Sequence, residues 1–100
     1  MSKEVNDLIE KIRLLGAPIR AKGAIGLYVF GSRSRGDFRP DSDIDIFVDY
    51  DPASNFSIVE LAGIKRLLDE ALGLDVHITT RQGLRSDFRR VVEGEAIKVL

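Results

Sequence analysis

Val5, Leu8, Ile9, Ile12 and Leu15 recur at helical spacing and predict an amphipathic first helix, with Ser2 placed to cap it. Gly16 and Pro18 weaken or end that helix, and Lys22-Gly23 is a natural stop. The run I-G-L-Y-V-F, from Ile25 to Phe30, has strand character and breaks sharply at Gly31. From Gly31 to Ser42 the chain is almost wholly polar (G-S-R-S-R-G-D-F-R-P-D-S), which predicts a long exposed segment with one helical turn near Arg33. A polar loop of this length inside a compact domain is usually functional.

The period then changes to two. In D-I-D-I-F-V-D-Y, residues Asp43, Asp45, Phe47 and Asp49 leave one face of a strand, and Ile44, Ile46, Val48 and Tyr50 leave the other. Ser57 with Glu60 three residues on forms a capping box for a helix to Leu72, with Leu61, Ile64, Leu68 and Leu72 as its buried stripe and Gly73 as its stop. Leu74 to Thr79 predicts a third strand with Leu74, Val76 and Ile78 inward and Asp75, His77 and Thr79 on the other face. A last helix fits Ser86 to Glu93 through Phe88, Val91 and Val92, and the terminal A-I-K-V-L suits a short edge strand. The expected architecture is α+β: a small mixed sheet with helices on one face and aspartates on the other.

Composition narrows the function classes. One hundred residues point to a single domain over residues 1–100 with one core. Fifteen basic against sixteen acidic residues leave a net charge of −1. Non-specific nucleic-acid binding rests on a positive excess that this chain lacks. The absence of cysteine excludes disulfides and thiolate metal sites and suits a reducing cytoplasm. The N-terminus is polar and of mixed charge, unlike a signal peptide, and no apolar run approaches the ~20 residues of a membrane span.

Three features carry candidate chemistry. Asp43 and Asp45 leave one strand face about 6–7 Å apart, so both carboxylates can converge on a hard cation such as magnesium. Alone, a D-x-D pair is more often a solubility device. Gly31 and Ser32 follow a strand directly, where glycine admits a phosphate close to the backbone and the next residues offer N–H groups and a hydroxyl. Arg33 and Arg35 can add charge to hold a polyphosphate, although solvated arginines at a turn are as common. No G-K-[ST] follows, so the segment is not a P-loop. Asp75, on a later strand and away from the apolar row, supplies a third carboxylate for a two-metal site.

Taken together, G-S-R-S-R-G, S-D-I-D-I-F-V and L-D-V-H-I-T resemble the minimal nucleotidyltransferases of the DNA polymerase β superfamily. Phe30, Gly31, Ser32, Asp43, Ile44, Asp45 and Asp75 match in type, order and spacing, and the resemblance spans roughly residues 25–84. It implies the polymerase-β-like palm fold and the following roles. Gly31 and Ser32 would contact the triphosphate of ATP, with Arg33 and Arg35 neutralising it. Asp43 and Asp45 would bind both Mg²⁺ ions, and Asp75 would ligate the second and assist deprotonation of the acceptor hydroxyl. Ser34 stands where relatives often carry alanine. Short members of this kind resemble the antitoxins of two-gene modules whose usual partner is a HEPN-type ribonuclease toxin, inactivated by AMP transfer to a tyrosine. Two other readings stay open: an antitoxin that neutralises by binding alone, and transfer to a small molecule or RNA end.

Some residues are left without a role. His77 shares the face of Asp75, but a lone histidine is more often structural or exposed. Asp49 continues the acidic face and reads as solvated. Arg81, Arg85, Arg89 and Arg90 read as a wet helix face or a patch for an acidic partner. Phe38 and Pro40 pack locally or meet a partner.

Overall fold

The computed structural model of the protein describes residues 3–36, 39 and 43–100. The Ser2 cap and the contacts expected of Phe38 and Pro40 fall outside those residues. Helix α1 spans Lys3–Leu14 and buries Val5, Leu8, Ile9 and Ile12, the predicted stripe. Gly16 and Pro18 divide the N-terminal helical segment rather than end it. The chain breaks at Leu15 and resumes as α2, Gly16–Ala21. Pro18 lies in the first turn of α2, where a missing N–H leaves no ladder bond unmade.

Strand β1 is Ala24–Phe30, followed by the single turn α3, Ser32–Arg35. Strand β2 is Ile44–Tyr50, helix α4 Ile58–Leu72, strand β3 Val76–Thr80, helix α5 Ser86–Glu95, and strand β4 Ile97–Lys98. At the start of α4 the Ser57 hydroxyl accepts the Val59 N–H (3.2 Å) and donates to the Glu60 carboxylate (2.5 Å). Gly73 closes the helix at φ 65°, its N–H bonded to the Asp69 carbonyl.

The sheet order is β3-β2-β1-β4. The β1–β2 and β1–β4 pairs are antiparallel, and β2–β3 is parallel, with α4 as the crossover that a parallel pair requires. In the parallel pair, Ile44 lies opposite Val76 and Asp45 opposite His77.

One sheet face is covered by α1, α2 and α4. Leu27 and Val29 of β1, Ile44, Ile46 and Val48 of β2, and Val76 of β3 meet Ile12, Ile19, Ile64 and Leu68 there, all without solvent exposure. The second face is not bare along its length. Leu84 and Val92 of α5 and its approach pack on Phe30 and Phe47 in a smaller apolar cluster. The aspartates occupy what remains of that face. Val92 alone of the predicted α5 stripe is buried; Phe88 and Val91 are 50% and 60% exposed.

Ile46 sits at the middle of the main cluster, so Ile46→Ala is expected to cost about 2–5 kcal/mol of unfolding free energy. Ile58, 77% exposed on α4, is the matched control, and Ile58→Ala should stay within about 0.5 kcal/mol. Urea unfolding of the two variants checks the contrast.

Candidate active site

Asp43, Asp45, Asp75 and His77 converge at the beginning of the β2–β3 pair. The register explains why. Strands running the same way place equivalent side chains abreast on one face, so His77 stands beside Asp45 and Asp75 beside Asp43. The Ile44 N–H bonds to the Asp75 carbonyl at 3.3 Å, fixing the first rung. Asp69, on the last turn of α4, secures the entry to β3. Its Oδ1 accepts the Val76 N–H at 2.8 Å and its Oδ2 accepts from Lys65 Nζ at 2.8 Å.

Lys65 Nζ also donates to Asp75 Oδ1 at 3.0 Å. This contact holds the Asp75 carboxyl below the usual carboxylate range, and the neighbouring His77 ring adds to the effect. Asp69 and Asp75 in turn raise the Lys65 ammonium. Asp75 is therefore an anion through the neutral range. The His77 ring lies among all three aspartates: Nε2 is 3.2 Å from Asp43 Oδ2 and 3.4 Å from Asp75 Oδ2, and Nδ1 is 3.4 Å from Asp45 Oδ1. A cavity of about 390 Å³ opens here, lined by Phe30, Asp45, Lys65, Asp75, His77 and Thr79 among others.

Gly31 and Ser32 form the turn beside these carboxylates. Gly31 has φ 75° and ψ −149°, and a Cβ added there would lie 2.4 Å from Asp45 Oδ2. Only glycine gives both that backbone and that approach. The Ser34 hydroxyl donates to the Gly31 carbonyl at 2.8 Å, so the position where relatives carry alanine braces the turn. The Gly31 N–H donates to Glu95 Oε1 at 3.2 Å, and Arg35 Nη1 pairs with the same carboxylate at 3.2 and 3.3 Å. Arg33 is buried, 4% exposed, so the polar segment is not exposed throughout.

The far end of the acidic face differs from its expected form. Asp49 is half-buried and paired: it accepts two bonds from Arg81, Nε to Oδ1 at 2.8 Å and Nη2 to Oδ2 at 2.9 Å. Arg81 also pairs with Glu93 of α5 and lies over the stacked Tyr28 and Phe47 rings, 5.0 and 4.8 Å from their centroids. These partners, Asp49 first, raise its already high pKa. Arg85 pairs with Asp87, and Arg89 donates to the Gln82 and Leu84 carbonyls. Of the expected basic group, Arg81 ties α5 to β2 and Arg89 braces the approach to α5, while Arg85 and Arg90 are exposed as a wet helix face would be.

Sequence reasoning missed Lys65 and Glu95 and left His77 aside. His77 was findable, since the alternation that selects Asp75 also selects the residue two further on. Lys65 and Glu95 come from helices whose approach the local pattern does not encode.

The strand–glycine–serine turn, the paired aspartates and the third acid at the start of the parallel neighbour are the arrangement that the resemblance to nucleotidyltransferases implies. The sequence matches the nucleotidyltransferase domain family over residues 18–99, and the chain belongs to that family. It is 34% identical over 71 residues to the protein adenylyltransferase MntA of Thermococcus cleftensis, covering 71% of this chain and 70% of that one. It is 31% identical over 97 residues to the candidate protein adenylyltransferase MJ0435 of Methanocaldococcus jannaschii, covering 96% and 98%. Among solved structures it resembles a candidate minimal nucleotidyltransferase (32% identity, TM-score 0.69, 89% and 93% covered). The fold also recurs, at 22% identity and TM-score 0.68, in a chain of the complex between a tri-AMPylated HEPN toxin of Shewanella oneidensis and its MNT antitoxin, covering 96% and 71%.

Gly31→Ala is expected to destabilise the fold more than Gly36→Ala. Gly36 has a left-handed helical backbone, where a Cβ costs about 1–2 kcal/mol, and open space around it; Gly31, at φ 75° and ψ −149°, has a backbone nearly confined to glycine, and a methyl there would also run into Asp45. Denaturant midpoints falling equally for the two variants would contradict the close approach of Asp45 to the turn.

Proposed function

We propose that this chain is a divalent-metal-dependent protein adenylyltransferase that moves AMP from ATP to a hydroxyl of a HEPN-type toxin and thereby acts as its antitoxin. The observation that carries this reading is the meeting of Asp43, Asp45 and Asp75 beside the Gly31-Ser32 turn. The relatives named for protein adenylyltransferase activity support the reaction type. The fold shared with the toxin–antitoxin complex supports the partner class.

The donor set suits a hard cation. One ligand atom each from Asp43, Asp75 and His77 lies within 4.8 Å of the others, and carboxylate oxygens are the ligands magnesium takes. Bound there, two Mg²⁺ ions would supply charge neutralisation for the entering and leaving oxygens. Asp43 and Asp45, from one strand, hold that charge in place, and Asp75 completes the set from the neighbouring strand. Because Lys65 keeps Asp75 ionised, Asp75 is a better ligand than proton acceptor. Gly31, Ser32 and Arg35 would receive the triphosphate, and Arg33, which is 4% exposed, would add its charge from within the protein. The acceptor oxygen attacks the α-phosphorus, the bond from phosphorus to the bridging oxygen breaks, and pyrophosphate leaves with the negative charge. The hydroxyl proton passes to solvent.

Glu95 bears on substrate entry. Its carboxylate takes the Gly31 N–H and pairs with Arg35, the donors assigned here to phosphate. A triphosphate oxygen and a carboxylate cannot share one N–H, so nucleotide binding must move Glu95. Glu95→Gln removes the competing charge and is expected to tighten binding of a non-hydrolysable ATP analogue roughly fivefold, a difference of ~1 kcal/mol. Calorimetry reads this directly, and weaker binding by the variant would instead make Glu95 an organiser of the turn.

The reaction itself is tested by mixing the protein with a HEPN-type toxin, Mg²⁺ and ATP labelled on the α-phosphate. Label should appear on the partner, and Asp43→Asn should slow its appearance roughly a hundredfold or more, since metal charge stabilisation amounts to several kcal/mol. Tight association without label would make the chain a neutraliser by binding alone.

A further inference from the structure

We infer that His77 is a metal ligand of this site, giving it a mixed carboxylate–imidazole donor set that takes Mn²⁺ in preference to Mg²⁺. The inference rests on the proposed metal site and adds to it the identity of a ligand and the class of cation selected. In an octahedral site with bonds of about 2.1 Å, adjacent ligand atoms lie about 3.0 Å apart. His77 Nε2 stands 3.2 Å from Asp43 Oδ2 and 3.4 Å from Asp75 Oδ2. Both separations are within a few tenths of an ångström of that spacing, and the three donor atoms all lie within 4.8 Å of one another, close enough to share one ion.

The ring is also oriented for that use. Its other nitrogen, Nδ1, faces Asp45 Oδ1 at 3.4 Å. A tautomer carrying its proton on Nδ1 directs that N–H toward Asp45 and leaves the Nε2 lone pair between Asp43 and Asp75. A carboxylate behind one imidazole nitrogen fixes the tautomer and makes the other nitrogen a better donor. Asp75 is held from its other side, where Lys65 takes Oδ1 and leaves Oδ2 toward the ring. Register supports the same placement independently of rotamers, because His77 is the cross-strand partner of Asp45 on the aspartate face.

A nitrogen donor changes which cation is favoured. Mg²⁺ prefers oxygen and keeps its waters, whereas first-row transition ions accept imidazole readily. An imidazole acting only as a counter-ion among three carboxylates would be expelled by any entering cation. The two possibilities make opposite predictions. Removing a counter-ion tightens cation binding, and removing a ligand weakens it.

The experiment uses the full chain with Mn²⁺ alone and with Mg²⁺ alone, comparing the unaltered protein with His77→Gln and Asp43→Asn. Pulsed electron paramagnetic resonance of bound Mn²⁺ should show ¹⁴N coupling, absent in H77Q. Mn²⁺ affinity should fall at least about tenfold in H77Q, while Mg²⁺ affinity changes less than about twofold. His77 is exposed, so thermal unfolding of H77Q should match the unaltered protein. Unchanged or tighter Mn²⁺ binding in H77Q, or no ¹⁴N coupling, overturns the inference and leaves an all-carboxylate site standing. Mn²⁺ binding that survives Asp43→Asn removes the metal site itself, a separate failure.

Discussion

Pairing of β2 with β3 in parallel is the constraint from which the site follows. An antiparallel neighbour would carry Asp75 to the other end of the strand, and a slip of one residue would turn it into the apolar core. The rung from Ile44 to Asp75, the crossover through α4 and the Asp69 clamp on Val76 all act on this register. The apolar row beneath it acts the same way, since Ile44, Ile46 and Val76 are wholly buried on the opposite face. Core packing and the grouping of carboxylates are two faces of a single alignment.

Grouping three carboxylates is unfavourable in itself, and the surrounding charges show how the fold accommodates it. Lys65 takes one oxygen of Asp75, the His77 ring lies among all three, and each side chain keeps contact with water. At the other end of the same face the charge is handled differently. Asp49 is half-buried and receives a bidentate guanidinium, the geometry expected where a carboxylate must be neutralised inside the structure. The open cluster suits exchangeable ligands, and the closed pair at Asp49 fixes α5 in place.

Much of this was legible in the chain. Period-two alternation assigned Asp43, Asp45 and Asp75 to the face away from Ile44, Ile46 and Val76, and the Ser57–Glu60 cap and Gly73 bounded α4. Alternation states which side a residue leaves, but not what lies over that side. Asp49 therefore read as solvated because Arg81 and α5 were invisible. For the same reason the helical spacing of Phe88, Val91 and Val92 did not tell that Val92 alone of the three, with Leu84, packs against Phe30 and Phe47. The carboxylate on the Gly31 amide comes from Glu95, 64 residues away, and no local pattern announces so distant a partner. Arg33 is buried within a segment whose polarity suggested exposure.

Paramagnetic broadening of backbone amide signals by substoichiometric Mn²⁺ tests the shared-cation arrangement most directly. Signals of Gly31, Asp43, Asp45, Asp75 and His77 should vanish first. That of Tyr50, at the far end of β2 and about 16 Å beyond Asp45 at ~3.3 Å per residue, should persist. Broadening centred elsewhere, or reaching Asp43 and Asp45 while sparing Asp75, would contradict a cation held between the two strands.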